Sequence, residues 1–215
     1  LYLRIPKWCT QASLKVNGKS VEIATRAGAF IRIQKEWTNG DKVELVLPMH
    51  INVKKWEANH NSVSVNYGSL TFSLLIGEEY KAKESDKTAI WDSKWQKGVD
   101  AKQWPSYEIY PTTPWNYGLI LNDVDPTLSL TLERMPWPND NFPFTTESAP
   151  LVIKAKGKLI PNWKIDKMGL AGELKDSPVL SSETEQAIKL IPMGAARLRI
   201  SSFPQIASGN KGKTW

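Results

Sequence analysis

The sequence predicts an all-β protein of two consecutive antiparallel β-sandwich-like domains, and three observations support this prediction. Apolar and polar residues alternate with period two through most of the chain, turn-forming residues separate the alternating runs, and no long amphipathic helical pattern is present. Alternation with period two is typical of strands that bury one face, because successive side chains point to opposite sides of a sheet.

The first predicted hairpin is centred on Asn17-Gly18. Residues 12–16 and 19–23 alternate on either side of this pair. An Asn-Gly pair between alternating runs is a strong hairpin signal, because both central residues of a type I′ turn need a positive φ. The sequence therefore predicts two antiparallel strands joined by a two-residue turn.

Further strands follow at short spacing. Residues 29–33 and 42–47 form a second predicted hairpin around the turn 38–41, and Pro48 ends it because proline has no N–H for the ladder. More strands are predicted at residues 51–56, 62–66 and 70–76. This density of short strands is typical of a β-sandwich, so we predict a first domain over residues 1–78.

The second half of the chain has a different character. Residues 78–106 are polar and rich in lysine, and proline-rich loops such as 136–143 follow. Alternation returns at residues 107–110, 119–121, 128–133, 151–156, 187–191 and 197–201. We predict a second β-sandwich-like domain over residues 79–207 with long Trp- and Pro-rich loops. Residues 208–215, which contain glycine and lysine, are predicted to form a disordered tail.

The charge and hydropathy patterns exclude two classes of partner. The net charge of +6 comes from lysines scattered along the chain, and no nucleic-acid-binding motif is present, so we expect no nucleic-acid partner. No run of eighteen apolar residues is present, so we expect no membrane span. Residues 1–5 alternate like a strand and lack a signal-peptide pattern, which suggests a fragment of a longer protein.

The residues that could support catalysis do not form a recognisable constellation. The single cysteine, Cys9, excludes an internal disulfide and a cysteine-cluster metal site. His50 and His60 lack the spacing of a zinc-binding helix motif. Asp123 and Asp125 are interpreted as turn residues rather than calcium ligands, because calcium takes about 6–8 oxygen ligands. We predict no catalytic residue and no metal site in this chain.

Tryptophan is the unusual component, with ten residues in the chain. A flat aromatic ring can stack on the face of a sugar, and exposed aromatic side chains mark binding sites. The candidates for carbohydrate binding are Trp91, Trp95, Trp104, Trp115, Tyr117 and Trp137. The alternative, which we favour, is that these rings pack long loops onto the core or onto a neighbouring domain.

Several short motifs, in order along nearly the entire chain, resemble one family. They are Leu3-Arg4-Ile5-Pro6-Lys7-Trp8-Cys9, Val16-Asn17-Gly18-Lys19, Phe30-Ile31-Arg32-Ile33, Glu108-Ile109-Tyr110-Pro111, Pro114-Trp115-Asn116-Tyr117, Ile160-Pro161-Asn162-Trp163, Leu190-Ile191-Pro192-Met193-Gly194 and Arg197-Leu198-Arg199-Ile200. Together they resemble glycoside hydrolase family 127, the β-L-arabinofuranosidase-like group. Residues 67–72 and Ala195-Ala196 depart from the family pattern, and both leave the predicted strands intact.

The resemblance implies a larger parent protein. Members of this family have an N-terminal (α/α)6 barrel, which holds a catalytic site with a zinc-bound cysteine and a glutamate, followed by β-sandwich domains. This chain resembles the β-sandwich region alone, and Cys9 corresponds to a sandwich motif rather than to the nucleophile. The resemblance therefore implies a non-catalytic C-terminal accessory module of a bacterial glycoside hydrolase, without a cofactor of its own.

Partners and location follow from the same resemblance. We expect the missing catalytic barrel to be the main partner, and the parent to be a periplasmic or extracellular enzyme that hydrolyses a plant-derived glycoside. Without the barrel, the module is expected to expose an apolar patch and to self-associate, for example as a homodimer. Two other hypotheses stay open: a carbohydrate-binding module that uses the loop tryptophans on a plant polysaccharide, and a self-standing enzyme, which the lack of a catalytic constellation disfavours.

Overall fold

The computed structural model describes residues 1–22, 27–83, 98, 100, 102–209 and 212–215. Within them the chain is built from short strands in antiparallel sheets, which confirms the all-β prediction. The described strands are β1 Tyr2–Arg4, β2 Ser13–Val16, β3 Lys19–Val21, β4 Phe30–Arg32, β5 Val43–Val46, β6 Ile51–Trp56, β7 Ser62–Tyr67, β8 Leu70–Leu74, β9 Glu78–Lys83, β10 Ser106–Pro111, β11 Tyr117–Leu119, β12 Thr131–Arg134, β13 Leu151–Leu159 and β14 Gln186–Pro192. Short 3-10 helices occupy Pro126–Ser129 and Met193–Ala195, and no described helix is long and apolar enough to cross a membrane.

Residues 1–49 contain two small sheets. Strand β2 lies between β3 and β5, and β1 pairs with β4. Asn17 and Gly18 have φ values of 50° and 75°, so the predicted hairpin turn is confirmed. The Asn17 side chain also joins this turn to the next one, because its carbonyl oxygen accepts from the Lys42 backbone N–H at 2.8 Å and its amide donates to Asp41 at 2.7 Å.

A small apolar core lies beneath these strands. It consists of buried residues Ile5, Cys9 and Ala12, against which the partly buried Trp8, Ile31, Leu45 and Leu47 pack. The Cys9 side chain is 1% exposed. Cys9 is therefore a packing residue of this core, and its thiol is not presented to solvent or to a ligand.

The larger sheet contains seven strands, in the order β11-β13-β14-β8-β7-β6 with β12 paired to β13. Strand β13 is long enough to pair with β12 along its first half and with β11 along its second half. The register places Ile153, Leu190 and Leu74 in one row across three strands, and all three are buried. Because alternate residues share a face, this row belongs to the apolar face that forms the main core.

Phe203 closes the main core from a segment outside the strands. Its backbone exchanges two hydrogen bonds of 2.8 Å with Val63 on β7, and its ring is fully buried in the same cluster as Phe72. Three residues later the chain reaches β11 at the far edge of the sheet, where Ile206 donates its backbone N–H to the Leu119 carbonyl at 2.8 Å. The chain after β14 therefore covers the core and links β7 to β11.

Strand pairing crosses the predicted domain boundary at residue 78. Strands β6, β7 and β8 precede this residue and β11 to β14 follow it, yet all seven belong to one sheet. Strands β1 to β5 pair among themselves and have their own core. The division into domains at residue 78 stays a prediction, and the pattern of strand pairing changes between the end of β5 and the start of β6.

Residues 212–215 make specific contacts where the sequence predicted a disordered tail. Leu180 donates its backbone N–H to the Lys213 carbonyl at 2.8 Å, and the Lys213 ammonium lies 2.6 Å from the Asp176 carboxylate. The Trp215 ring centroid lies 5.5 Å from that of Trp163. Composition alone indicates disorder here, because the partners that hold this segment lie far away in the sequence.

Candidate functional site

Strands β9 and β10 form a two-stranded ribbon with one apolar and one charged face. The antiparallel register sets Tyr80 opposite Ile109 and Ala82 opposite Tyr107, so these four side chains share a face. The alternate positions hold Glu79, Lys81, Lys83, Glu108 and Tyr110. The ribbon is thus amphipathic, although both of its faces are largely exposed.

Two pairs of exposed aromatic rings lie next to each other at the apolar side of the ribbon. The Tyr80 and Tyr107 rings pack edge to face with centroids 6.1 Å apart, and the Phe142 and Phe144 rings do so at 5.4 Å. Tyr80 and Phe144 line one cavity of about 140 Å³. Each of the four side chains is 48–51% exposed. We call Tyr80, Tyr107, Phe142 and Phe144 the aromatic face.

Glu78 anchors the base of the ribbon to the segment that follows β14. One carboxylate oxygen accepts from the backbone N–H groups of Arg197 and Leu198 at 2.9 and 3.0 Å, and the other accepts from the Tyr80 hydroxyl at 2.9 Å. Burial of the Tyr80 hydroxyl, together with its hydrogen bond to Glu78, raises the pKa of Tyr80. These bonds orient the Tyr80 ring and fix where the aromatic face begins.

The charged face of the ribbon is internally neutralised. The Lys83 ammonium lies 2.9 Å from the Glu108 carboxylate, which also accepts from the Tyr110 hydroxyl. The hydrogen bonds from Tyr110 and Lys83 lower the pKa of Glu108. Lys81 stacks on the Tyr110 ring at 4.8 Å from its centroid. This face is suited to solvent, whereas the aromatic face exposes apolar surface without such pairing.

A groove of about 770 Å³ lies beside β10. Its floor consists of Trp115, Leu198 and Ile200, which are partly buried against the main core. Residues 165 and 167–171 also line it, together with the charged side chains Glu108, Arg197 and Arg199. Three of the four charged side chains in the lining are cations, so the groove combines an apolar floor with a net positive charge.

Two of the predicted carbohydrate-binding residues, Trp104 and Trp137, lie outside the described strands. Trp91 and Trp95 fall outside the described residues. Trp104 and Trp137 are 67% and 58% exposed. The Trp137 indole N–H donates to the Asn141 side chain at 2.7 Å, which orients its ring.

The other two predicted residues are largely packed into the protein. The Tyr117 ring is 6% exposed and its hydroxyl donates to Gln186 at 2.7 Å, so its ring face is not available to a sugar. Trp115 packs between two core clusters and lies edge to face with Trp163 at 5.1 Å. Carbohydrate binding by the predicted set stays a prediction.

Two of the titratable residues singled out in the sequence, His60 and Asp125, make structural contacts. The His60 ring lies 2.9 Å from the Asp176 carboxylate, and hydrogen bonds from Lys213 and then His60 lower the pKa of Asp176. Asp125 accepts from the Thr127 backbone N–H at 3.0 Å, as expected of a turn residue. Across the described part of the chain, no group of three or more His, Cys, Asp or Glu side chains is arranged to hold a metal ion.

The sequence analysis missed the aromatic face. Tyr80 and Ala82 alternate with Glu79, Lys81 and Lys83, but this run lies in a segment interpreted as polar and without periodicity. Phe142 lies in a proline-rich loop that carries no strand signal. The alternation at residues 78–83 could have revealed an amphipathic strand, whereas its pairing with β10 required the tertiary structure.

The fold and the surface define an all-β module that exposes apolar and aromatic groups beside a well-formed core. Residues 1–49 match the family model described as beta-L-arabinofuranosidase, GH127 middle domain. This match confirms the resemblance drawn from the sequence motifs, and its range ends between β5 and β6. Comparison with curated proteins finds no match.

Comparison with solved structures aligns nearly the entire chain with glycoside hydrolases. One described as a glycoside hydrolase has a TM-score of 0.54 and 21% identity, over 96% of this chain and 28% of its own. A GH127 beta-L-arabinofuranosidase from Geobacillus stearothermophilus T6 has a TM-score of 0.47 and 22% identity, over 94% of this chain and 25% of its own. A GH127 beta-arabinofuranosidase has a TM-score of 0.46 and 18% identity, over 95% of this chain and 25% of its own. The chain thus spans about a quarter of the length of these structures.

Proposed function

We propose that the chain is a non-catalytic accessory module of a glycoside hydrolase similar to β-L-arabinofuranosidases, and that it supports a catalytic barrel by interdomain packing. The observation that carries this proposal is the amphipathic ribbon, whose aromatic face is exposed. A two-stranded ribbon is at best marginally stable in water, and an exposed apolar patch beside polar residues marks an interaction site. A packed partner would cover this face.

The chemistry of the aromatic face favours a protein partner. Phe142 and Phe144 have no polar group, so they offer a sugar no hydrogen bond, whereas apolar rings suit a protein interface. Burial of apolar surface contributes roughly 25 cal/mol per Å². The greater length of the similar structures supports the proposal that further domains supply the covering surface.

The single cysteine of this chain does not suit the zinc of the resembled catalytic site. Cys9 is 1% exposed and surrounded by apolar side chains, so its thiol offers no open ligand position. We assign the zinc and the hydrolysis of a plant-derived glycoside to the parent's barrel, and we propose a periplasmic or extracellular location for the parent. Turnover of an aryl arabinofuranoside by the purified 215-residue chain would contradict this assignment.

The packing proposal is tested with the substitutions Tyr107→Ser and Phe142→Ser made together. Both side chains are about half exposed, so the isolated chain should keep its urea midpoint and bind less of an apolar dye. In the full-length parent, the same pair should lower the thermal midpoint by several degrees, because the covering contact is lost. The control is Lys81→Ser on the charged face. An unchanged parent midpoint would overturn the proposal.

Carbohydrate binding is the second candidate, and the exposure of Trp104 and Trp137 favours it. The Trp137 ring is held by its bond to Asn141, as a stacking platform would be. Arabinan or arabinogalactan fragments should then quench tryptophan fluorescence, and Trp137→Ala should remove most of this response. The control is Trp56→Ala, since Trp56 is 42% exposed and bonded to Ser64. A flat titration would count against this candidate.

A further inference from the structure

The groove beside β10 is also lined by an exposed apolar hairpin that hydrogen bonds hold in place. Residues 164–172 form a hairpin in which Ile165 pairs with Ala171. Its tip presents Met168, 82% exposed, and Leu170, 64% exposed. Large apolar side chains at a tight tip contribute nothing to the core of this chain, so their placement calls for another explanation.

Asp166 holds the tip of this hairpin in one conformation. Its carboxylate accepts from the backbone N–H groups of Met168 and Leu170 at 2.8 and 2.9 Å, and its own backbone N–H donates to Leu170 at 2.8 Å. Gly169 adopts the positive φ of 79° that the turn requires. A surface ordered before binding loses less entropy when a ligand docks.

Among the described residues, no strand pairs with the outer edge of β10. Thr112 donates its backbone N–H to Gly77 at 2.8 Å, and in an antiparallel pair the residues that bond to the partner alternate with those that point away. Glu108 and Tyr110 lie an even number of residues before Thr112, so their backbone N–H and C=O groups also point toward β9. Ile109, between them, therefore directs its N–H and C=O away from β9, and Ile109 lines the groove.

The charge of the groove selects an acidic ligand. Lys167, Arg197 and Arg199 line it, and the carboxylate of Glu108, which also lines it, is already paired with Lys83 at 2.9 Å. Arg199 donates its Nε–H to the Ala196 carbonyl at 2.9 Å, and within the described part of the chain its terminal N–H groups have no hydrogen-bond partner. The lining is thus net positive beside an apolar floor.

We infer that this groove is the docking site of an extended acidic polypeptide segment, which adds as a strand to the outer edge of β10. Its alternate apolar side chains would lie between Trp115 and the 164–172 hairpin, and its carboxylates would meet the arginines that line the groove. Strand addition of this kind takes affinity from backbone hydrogen bonds and specificity from side-chain pockets. The aliphatic walls offer few hydrogen bonds to sugar hydroxyls, which favours a peptide over a glycan.

Random twelve-residue peptides displayed on phage provide the probe, with the 215-residue chain as bait. We expect enriched sequences to alternate apolar and acidic residues. A synthetic copy of an enriched peptide should bind at least about tenfold more weakly to the double variant Met168→Lys, Leu170→Lys, since loss of two central apolar contacts commonly has effects of this size. Both side chains are exposed, so the variant should fold as the wild type does.

The matched control is Val124→Lys with Leu128→Lys, because these apolar side chains are 94% and 74% exposed and lie outside the groove. Charge reversal by Lys167→Glu should also weaken binding of the acidic peptide and should leave an uncharged analogue unaffected. Absence of enrichment, or binding equal in all variants, would overturn the inference. The inference would also be overturned if arabinan fragments bound to the wild-type chain and the Met168→Lys, Leu170→Lys variant alone lost this binding. The aromatic-face variants, tested separately, distinguish this site from the interdomain surface.

Discussion

Replacement of Phe203 by alanine tests how the main core is closed. Phe203 belongs to no strand, yet its ring is fully buried and its backbone bonds to Val63 on β7 in both directions. If this residue locks the chain after β14 onto the sheet, Phe203→Ala should destabilise the larger sheet as strongly as the loss of any strand residue in the core.

The magnitude follows from the burial of the ring. An aromatic side chain buries about 150 Å² or more, which corresponds to about 4 kcal/mol at roughly 25 cal/mol per Å². The alanine methyl group retains part of this, and the cavity adds a cost, so we expect a loss of about 3–5 kcal/mol in the free energy of unfolding. The backbone hydrogen bonds to Val63 survive the substitution and do not enter this sum.

Urea denaturation followed by tryptophan fluorescence measures this loss. Phe30→Ala is the matched control, because Phe30 is 67% exposed and its truncation should cost less than about 0.5 kcal/mol. Hydrogen exchange adds a spatial test: the amide of Leu14, in the sheet of residues 1–49, should keep its protection in Phe203→Ala. A loss below about 1 kcal/mol would refute the role assigned to Phe203.

Three further perturbations test other parts of the fold. Gly157→Ala should destabilise by roughly 1–3 kcal/mol, since its new Cβ would lie 2.8 Å from the Gly118 carbonyl oxygen; thermal denaturation measures this. Trp163→Phe removes the indole N–H that donates to the Gly172 carbonyl at 2.8 Å, and should cost about 1–2 kcal/mol and speed hydrogen exchange in residues 164–172. Asp41→Asn should lower the stability of residues 1–49 at neutral pH, and the difference from wild type should shrink below about pH 4.

The sign of the pH effect follows from the contacts of Asp41. The hydrogen bond from Lys35, followed by those from the Thr38 backbone and the Asn17 amide, holds the pKa of Asp41 well below its usual range. A carboxyl group with a lower pKa in the folded state stabilises the fold above its unfolded-state pKa of about 3.9 and loses this effect as the pH falls further. This account would be contradicted if the difference in stability between wild type and Asp41→Asn stayed constant from pH 7 to acid conditions.

The controls for the other two substitutions are a glycine and a tryptophan at open or exposed positions. Gly194→Ala should be nearly neutral, because a Cβ at Gly194 meets nothing within 4 Å. Trp137→Phe also removes an indole hydrogen bond, but at a 58% exposed side chain, and should cost much less than Trp163→Phe. The contacts described above would be contradicted if the two glycine substitutions, or the two tryptophan substitutions, lowered the free energy of unfolding equally.

The strands and the first hairpin were predictable because their signals are local. Alternation predicted the positions of β2, β5, β6 and β7 within a few residues, and Asn17-Gly18 predicted its turn, since φ values at a turn depend on the residues that occupy it. Of the candidate site, the sequence indicated loop tryptophans, of which Trp104 and Trp137 are exposed. Tyr117 is buried, because it lies on β11 and packs into the main core, and no local signal distinguishes it from a loop residue.

The sequence by itself determined the strand character of the chain, its turns and its likeness to a glycoside hydrolase family, because each depends on neighbouring residues or short motifs. The tertiary structure alone decided that strands from both sides of residue 78 share one sheet, that Phe203 closes the core, and that Tyr80 lies beside Phe144. The physical reason is that contacts between distant segments depend on which apolar faces can be buried together. A periodic pattern identifies the apolar face of a strand, but it does not identify the segment that packs against that face.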